Sequence, residues 1–82
     1  MKKEELQQAL VAEGIRPNIY CLSGHVRDEQ YVLAFLPDGS WEVYYSERGN
    51  KNDLERFMTE EEACRRLFER VCADSSSRRT GG

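Results

Sequence analysis

The chain has 82 residues, of which 39% are hydrophobic and 33% are charged, and its net charge at pH 7 is −3. This length fits one small domain, and the composition is typical of a folded chain rather than a disordered one. The negative charge repels phosphate backbones and argues against general nucleic-acid binding. No apolar run reaches the roughly 20 residues that span a bilayer, and the acidic N-terminus does not read as a signal peptide. We therefore expect a cytoplasmic protein.

The N-terminal part predicts a helix followed by a short strand. Residues 2–13 form an amphipathic helix in this interpretation because Leu6 and Leu10 lie one turn apart on the same face. Gly14 follows the last periodic residue, which is typical of the position just after a helix. Residues 18–22 then predict a short strand.

The middle of the chain predicts two strands joined by a tight turn. Residues 30–36 are apolar on both faces, which is typical of a strand covered on both sides. Residues 37–40, Pro-Asp-Gly-Ser, have the composition of a turn. Residues 41–45 alternate, with Trp41, Val43 and Tyr45 on one face and Glu42 and Tyr44 on the other.

The C-terminal part predicts a loop, a fourth strand and a second helix. Residues 46–53 are polar and indicate a loop, and residues 54–57 indicate a short strand. The second helix begins after Thr59, which we expect to cap it together with Glu62. The Ser/Arg/Gly segment at residues 75–82 cannot bury a core and is expected to be a disordered tail.

These elements predict a single α+β domain over residues 1–74. Sequential strands joined by short connections usually pair as neighbours. We therefore expect a four-stranded antiparallel meander with an N-terminal and a C-terminal helix packed on one face. Which face of the sheet the helices cover is left open by the pattern.

Catalytic, cofactor and metal sites are not indicated. His25 is the only histidine, and no spacing suggests a nucleophile paired with it. Cysteines at positions 21, 64 and 72 lack the spacing of zinc ligands. On one helix Cys64 and Cys72 would lie about 12 Å apart, too far for a disulfide. We expect reduced thiols, no cofactor and no enzymatic activity.

The order of several short segments resembles that of small bacterial immunity proteins, which neutralise polymorphic toxins by binding to them. The segments are Gly14-Ile15, Tyr20 to Gly24, Tyr31 to Leu33, Trp41 to Gly49, Phe57, and Thr59 to Cys64. The most specific of them is Trp-Glu-Val-Tyr-Tyr-Ser-Glu-Arg-Gly at residues 41–49. The resemblance implies a cytoplasmic, non-enzymatic inhibitor, and it does not indicate which residues contact the toxin.

The sheet face left over by the helices is the expected contact surface, because apolar surface with a polar rim often marks a binding site. We predict contacts from four residues of the third strand and the loop after it: Glu42, Tyr44, Glu47 and Arg48. The loop at residues 25–29 or the tail could instead cover this face. A homodimer through the same face is an alternative. A nucleic-acid binder that uses Arg65, Arg66 and Arg70 is less favoured, because glutamates are interleaved with these arginines.

Overall fold

The structure is a computed structural model that describes residues 1–22 and 26–74. Within those residues the elements are α1 (Lys3–Ala12), a 3₁₀ turn (Pro17–Ile19), β1 (Tyr20–Cys21), β2 (Gln30–Phe35), β3 (Trp41–Glu47), β4 (Asn50–Phe57) and α2 (Glu60–Ala73). The four strands form one sheet in the order β1-β2-β3-β4. The α+β class and the strand order agree with the prediction. The expectations for His25 and for the tail at residues 75–82 lie outside the described residues.

The prediction of a fully antiparallel sheet is wrong for β1. This strand runs parallel to β2, with Tyr20 beside Tyr31 and Cys21 beside Val32. The other two pairs, β2 with β3 and β3 with β4, are antiparallel. A parallel return usually needs a connection of about a dozen residues or more. A shorter connection is enough here because β1 has only two residues, so the chain returns over a short distance.

Both helices contribute to one core on one face of the sheet. The fully buried side chains at its centre are Leu6 and Leu10 from α1, Leu67 and Val71 from α2, and Val43 from β3. Complete burial of one such side chain is worth about 1.5–3 kcal/mol. Val43 belongs to this core while Tyr44 belongs to a separate cluster, so the alternation predicted for β3 is confirmed. The helices cover the face that carries Val43.

The turn between β2 and β3 follows its sequence chemistry. The Gly39 N–H donates to the Leu36 carbonyl at 3.0 Å, and Gly39 has φ +91°, a region open to glycine at little cost. The Asp38 carboxylate accepts hydrogen bonds from the Ser40 hydroxyl at 2.6 Å and the Ser40 N–H at 2.9 Å. These two bonds lower the pKa of Asp38 below its usual value. The tight turn predicted for residues 37–40 is therefore confirmed.

The start of α2 is also as predicted, but one of its ion pairs differs. The Thr59 hydroxyl accepts a hydrogen bond from the Glu62 N–H at 3.2 Å and donates one to the Glu62 carboxylate at 2.9 Å. The i, i+4 spacing of Glu62 and Arg66 also predicts an ion pair on the helix surface. Arg66 instead donates to Glu55 of β4 at 2.8 Å.

The loop predicted at residues 46–53 is in fact a two-residue turn and the first half of a longer strand. Arg48 and Gly49 have φ values of +53° and +78°, as a type I′ hairpin turn requires. Arginine is uncommon at such a position, since a side chain in this region costs about 1–2 kcal/mol. Residues 50–53 are exposed on the outer strand of the sheet. Their polar composition, typical of a protected sheet edge, was interpreted as a loop.

Arg70 joins α2 to an irregular part of the sheet. The pairing of β3 with β4 shifts register between Val43 and Tyr45, and Asp53 has φ +52° at this bulge. The Arg70 guanidinium donates to the Asp53 carbonyl at 2.9 Å and to the Val43 carbonyl at 3.4 Å. Only 11% of its side chain is exposed. Arg70 therefore does not lie on an exposed arginine face of α2, which the nucleic-acid alternative would require.

We predict that Arg70→Ala lowers the free energy of unfolding by about 1–2 kcal/mol, because the two strand carbonyls lose their donor. Urea denaturation followed by circular dichroism measures this change. Arg65→Ala is the matched control: its side chain is 66% exposed and pairs only with Glu61 at 3.6 Å, and such surface pairs contribute little. Equal losses for the two variants would contradict a structural role for Arg70.

We predict that Arg48→Asn raises the free energy of unfolding by roughly 0.5–1 kcal/mol, because asparagine tolerates the left-handed region better than arginine does. Arg48→Lys keeps the charge and the poor turn propensity, so its stability should match that of the original protein. A gain for both variants would mean that the arginine side chain, rather than the backbone geometry, causes the strain.

Candidate protein-binding surface

Two of the four predicted contact residues are buried. Glu42 and Tyr44 lie on the sheet face opposite the helices, and each is only 6% exposed. The Glu42 carboxylate lies 3.3 Å from the Lys51 ammonium and 3.3 Å from the Arg56 guanidinium. The Lys51 ammonium also lies 5.1 Å from the centre of the Tyr44 ring. Glu42 thus pairs β3 with β4, and the expectation of a bare apolar face is wrong at these two positions.

A second small apolar cluster explains why this face is closed there. Cys21, Val32 and Tyr44 pack together on it, with Ala34 half-buried beside them. Val32 is only 1% exposed. The face predicted to contact a partner is therefore partly an additional core, and the side chains of Lys51 and Arg56, the partners of Glu42, are 55% and 56% exposed.

The other two predicted residues, Glu47 and Arg48, are exposed at the turn between β3 and β4. They share this tip of the hairpin with Gly49. The structure therefore separates the four predicted residues into a buried pair and an exposed pair. A contact role for Glu47 and Arg48 stays a prediction, and both side chains are accessible for it.

An exposed apolar row lies at the opposite end of the sheet. Phe35, Trp41 and Phe57 are register partners across β2, β3 and β4. The Phe35 and Trp41 ring centres lie 4.6 Å apart with the planes tilted by 49°. Phe35 is 63% exposed, and Met58, which follows Phe57, is 76% exposed. We call Phe35, Trp41, Phe57 and Met58 the apolar row.

The beginnings of the two helices contact each other. The Lys3 N–H donates to the Glu60 carboxylate at 2.8 Å, and the terminal amino group of Met1 lies 3.7 Å from the Glu61 carboxylate. Trp41 and Phe57 pack against the main core, and Glu60 and Glu61 follow Met58 in the chain by two and three residues. Apolar residues with charged residues close by in the chain are consistent with the composition of many protein interfaces.

A signal for the apolar row was present in the sequence. Phe35 and Trp41 flank the predicted turn at equivalent positions, and Phe57 ends the last strand. The sequence left open which sheet face the helices cover, and the contact residues on β3 were predicted at Glu42 and Tyr44, on the other face from Trp41. Since α2 begins at Glu60, immediately after β4 and Met58, its first turn leaves this end of the sheet open.

A group of titratable side chains at the end of α2 is structural. The Tyr31 hydroxyl donates to the Asp74 carboxylate at 3.0 Å. Burial, followed by this hydrogen bond and the negative charge of Asp74, raises the pKa of Tyr31 to about 12. The Tyr45 ring centre lies 4.9 Å from that of Tyr31, and the Arg70 guanidinium 5.7 Å from it. A phenol that ionises only at such high pH does not suit acid–base catalysis near neutrality.

Cys21 and Cys64 are buried, and Cys72 is half-buried. Burial is the largest cause that raises the pKa of the Cys64 thiol to about 11, which makes it a poor nucleophile at neutral pH. Among residues 1–22 and 26–74, no cluster of three or more His, Cys, Asp or Glu side chains is arranged to hold a metal ion. In the same part of the chain, no helix is long and apolar enough to span a membrane.

Comparison with known proteins gave no match: no family model, no curated protein and no solved structure is similar to this chain. A proposal of function therefore depends on the geometry of the apolar row and of the hairpin tip.

We predict that Tyr31→Phe removes one tyrosine with a pKa of about 12 from the titration curve of the protein. Absorbance at 295 nm follows the ionisation of tyrosine, and the difference between the curves of the two proteins gives the contribution of Tyr31. The ordinary pKa of this phenol is 10.0, so the stability that comes from the raised value is complete below pH 10.0 and is lost as the pH rises toward about 12. The free energy of unfolding of Tyr31→Phe should therefore fall less between pH 10.0 and about pH 12 than that of the original protein. Asp74→Asn should lower the pKa of Tyr31, and an unchanged titration in Asp74→Asn would contradict the assigned cause.

Proposed function

We propose that this chain is a non-enzymatic protein-binding module of the cytoplasm, an immunity-type inhibitor that neutralises a bacterial toxin by binding to it. The observation that carries the proposal is the exposure of Phe35 and Met58 beside the half-buried Trp41. Aromatic residues and methionine are enriched at the centres of protein interfaces. The resemblance to immunity proteins supplies the class of partner.

The apolar row is suited to bind with little loss of conformational freedom. Strand pairing fixes the backbone positions of Phe35, Trp41 and Phe57, and the rings of Trp41 and Phe57 pack against the main core. Ordering a mobile side chain at an interface costs about 0.5–1.5 kcal/mol, and rings that are already held by packing avoid part of that cost. Residues of this type, fixed before binding, are typical of the few that dominate binding energy.

Charge supports a basic partner. The chain carries a net charge of −3, and Glu60 and Glu61 follow Met58 of the apolar row by two and three residues. Complementary charge mainly accelerates association and selects between partners. Acidic side chains around an apolar centre therefore favour a partner with a basic rim, as expected for a toxin that acts on nucleic acid or another anionic substrate.

A contact by Glu47 and Arg48 in the same complex requires a partner of some size. Trp41 and Glu47 stand at opposite ends of β3, and six residue steps of a strand span about 20 Å. A partner that reaches both ends would cover the length of the hairpin. Because the two ends are about 20 Å apart, a substitution at the hairpin tip does not disturb the apolar row, and each site can be tested separately.

The arginines of α2 give little support to the nucleic-acid alternative. Arg70 is bound to strand carbonyls, Arg66 pairs with Glu55 and Glu69, and Arg65 pairs with Glu61. A homodimer is the second candidate because two copies of the apolar row could bury Phe35 and Met58 against each other. Light scattering at increasing concentration separates the homodimer from a monomer that awaits another protein.

We predict that Met58→Glu weakens binding of the partner at least tenfold, because it places a charge in the apolar row while changing a side chain that is 76% exposed. The measurement is capture of the partner from source cells followed by titration of the purified pair. Growth rescue on co-expression with the captured protein tests whether that partner is a toxin. The double variant Glu47→Ala/Arg48→Ala tests the hairpin tip in the same assay.

Val11→Glu is the matched control, since Val11 is also exposed, at 61%, but lies on α1 outside the apolar row. It should bind normally. Undiminished capture by Met58→Glu would exclude the apolar row as the contact surface. A captured partner that does not inhibit growth would overturn the immunity role, and a dimer that Met58→Glu dissociates would favour self-association.

A further inference from the structure

Arg48 occupies a backbone position that disfavours arginine. It is the first of the two turn residues between β3 and β4, with φ +53°, and Gly49 follows with φ +78°. Glycine adopts this region without a steric penalty, and the first position of such a turn is usually Asn, Asp or Gly. An arginine has a Cβ atom and no short polar group that could bond locally, so the region is unfavourable for it.

The two other described residues that have a positive φ without being glycine form backbone hydrogen bonds with the rest of the fold. At Asp53, with φ +52°, the carbonyl accepts a hydrogen bond from the Arg70 guanidinium at 2.9 Å. At Glu29, with φ +61°, the N–H donates to the Ser46 carbonyl at 2.6 Å. In both cases the fold uses the unusual conformation to make a hydrogen bond.

The Arg48 side chain contributes no comparable contact. It is exposed, and within residues 1–22 and 26–74 it forms no hydrogen bond, ion pair or ring contact. Lys51 of the same hairpin differs, because its ammonium lies 3.3 Å from the Glu42 carboxylate. The N–H donors of the Arg48 guanidinium are therefore available to another molecule.

Strain at Arg48 without an internal contact points to an external one. Natural sequences depart from the local preferences of their own fold mainly at functional sites, and strained backbone is concentrated at such sites. Arg48 combines an unfavourable φ with an exposed side chain that has no partner in the described chain. A contact with a second protein would account for both observations.

The chemistry of the guanidinium defines the group that it binds. Its planar fork of N–H donors matches the two oxygens of a carboxylate, which can accept two parallel hydrogen bonds. A lysine provides only a point charge and lacks this geometry. In a chain with a net charge of −3, a cation at the hairpin tip also selects between partners, since a protein with a basic group at this point is repelled.

We propose that Arg48 is a specificity-determining residue, whose guanidinium binds a carboxylate of the partner protein through two parallel N–H···O hydrogen bonds. The left-handed backbone at Arg48 is the stability cost of presenting an arginine at the hairpin tip. This inference rests on the proposed function as a protein-binding module, and it names the group of the partner that the tip recognises.

Replacement of Arg48 should change stability and affinity in opposite directions. Arg48→Asn suits the turn but removes the guanidinium. We expect a higher midpoint of urea denaturation and binding to the purified partner about ten- to hundredfold weaker, the loss that corresponds to hydrogen bonds with a charged group. Arg48→Lys should keep the original midpoint and bind with intermediate affinity. Unchanged affinity of Arg48→Asn, or a lower midpoint, would overturn the proposal.

Arg16→Asn is the matched control for charge. Arg16 is also exposed and has no ion pair with another described residue, but its φ is an ordinary −67°. The substitution removes the same charge from another part of the chain, so both the affinity and the urea midpoint should stay unchanged. An equal loss of affinity in Arg16→Asn and Arg48→Asn would mean that net charge, rather than a contact at the tip, governs binding.

Charge reversal on both proteins tests for the carboxylate. Arg48→Glu should bind the partner at least as weakly as Arg48→Asn does. Each exposed aspartate and glutamate of the partner is then replaced with lysine in turn, and each partner variant is titrated with the Arg48→Glu protein. We expect one partner variant to bind Arg48→Glu at least tenfold more tightly than the unaltered partner does. A complete set without such a variant would overturn the assignment of a carboxylate.

Failure of this inference differs from failure of the proposed function. If Met58→Glu abolishes binding while Arg48→Asn binds normally, the role of Arg48 is excluded and the proposed function stands. If the original protein captures no protein partner at all, the proposed function fails, and the inference about Arg48 fails with it.

Discussion

The alternation of side chains along β3 determines the character of every surface of this domain. Val43 points into the core beneath both helices, whereas Glu42 and Tyr44 point to the opposite face. The same period of two places Trp41 on the helix side at the end of the strand, where α2 has only begun. A shift of one residue would exchange these environments and place a carboxylate in the core. β3 is also paired on both edges, so its position is fixed more firmly than that of any outer strand.

The sequence was sufficient for the features that depend on periodicity or on local chemistry. Helix α1, the Thr59 cap, the turn at Gly39 and the alternation of β3 are of this kind. The direction of β1 was not accessible, because a two-residue strand has no pattern that distinguishes a parallel from an antiparallel neighbour. Arg70 was placed in solvent because its head is charged. Its long stem allows the guanidinium to reach backbone carbonyls from a half-buried position.

The error at Glu42 is related to the length of β4. When the strand is placed at residues 54–57, Lys51 belongs to a loop and is not placed on the sheet. With the strand at Asn50–Phe57, Arg56 lies directly opposite Glu42, and Lys51 lies opposite Ser46. The contact of Glu42 with Arg56 follows from this register, whereas the long Lys51 side chain reaches Glu42 past the Tyr44 ring. The register was not predicted because the two-residue turn begins with Arg48, and such turns are usually recognised by Asn, Asp or Gly at this position.

The outer edge of β4 limits assembly through this side of the sheet. Residues 50–53 on that edge are polar or charged, and such residues discourage pairing with a strand of another copy. The composition of this strand therefore acts as protection against fibre formation.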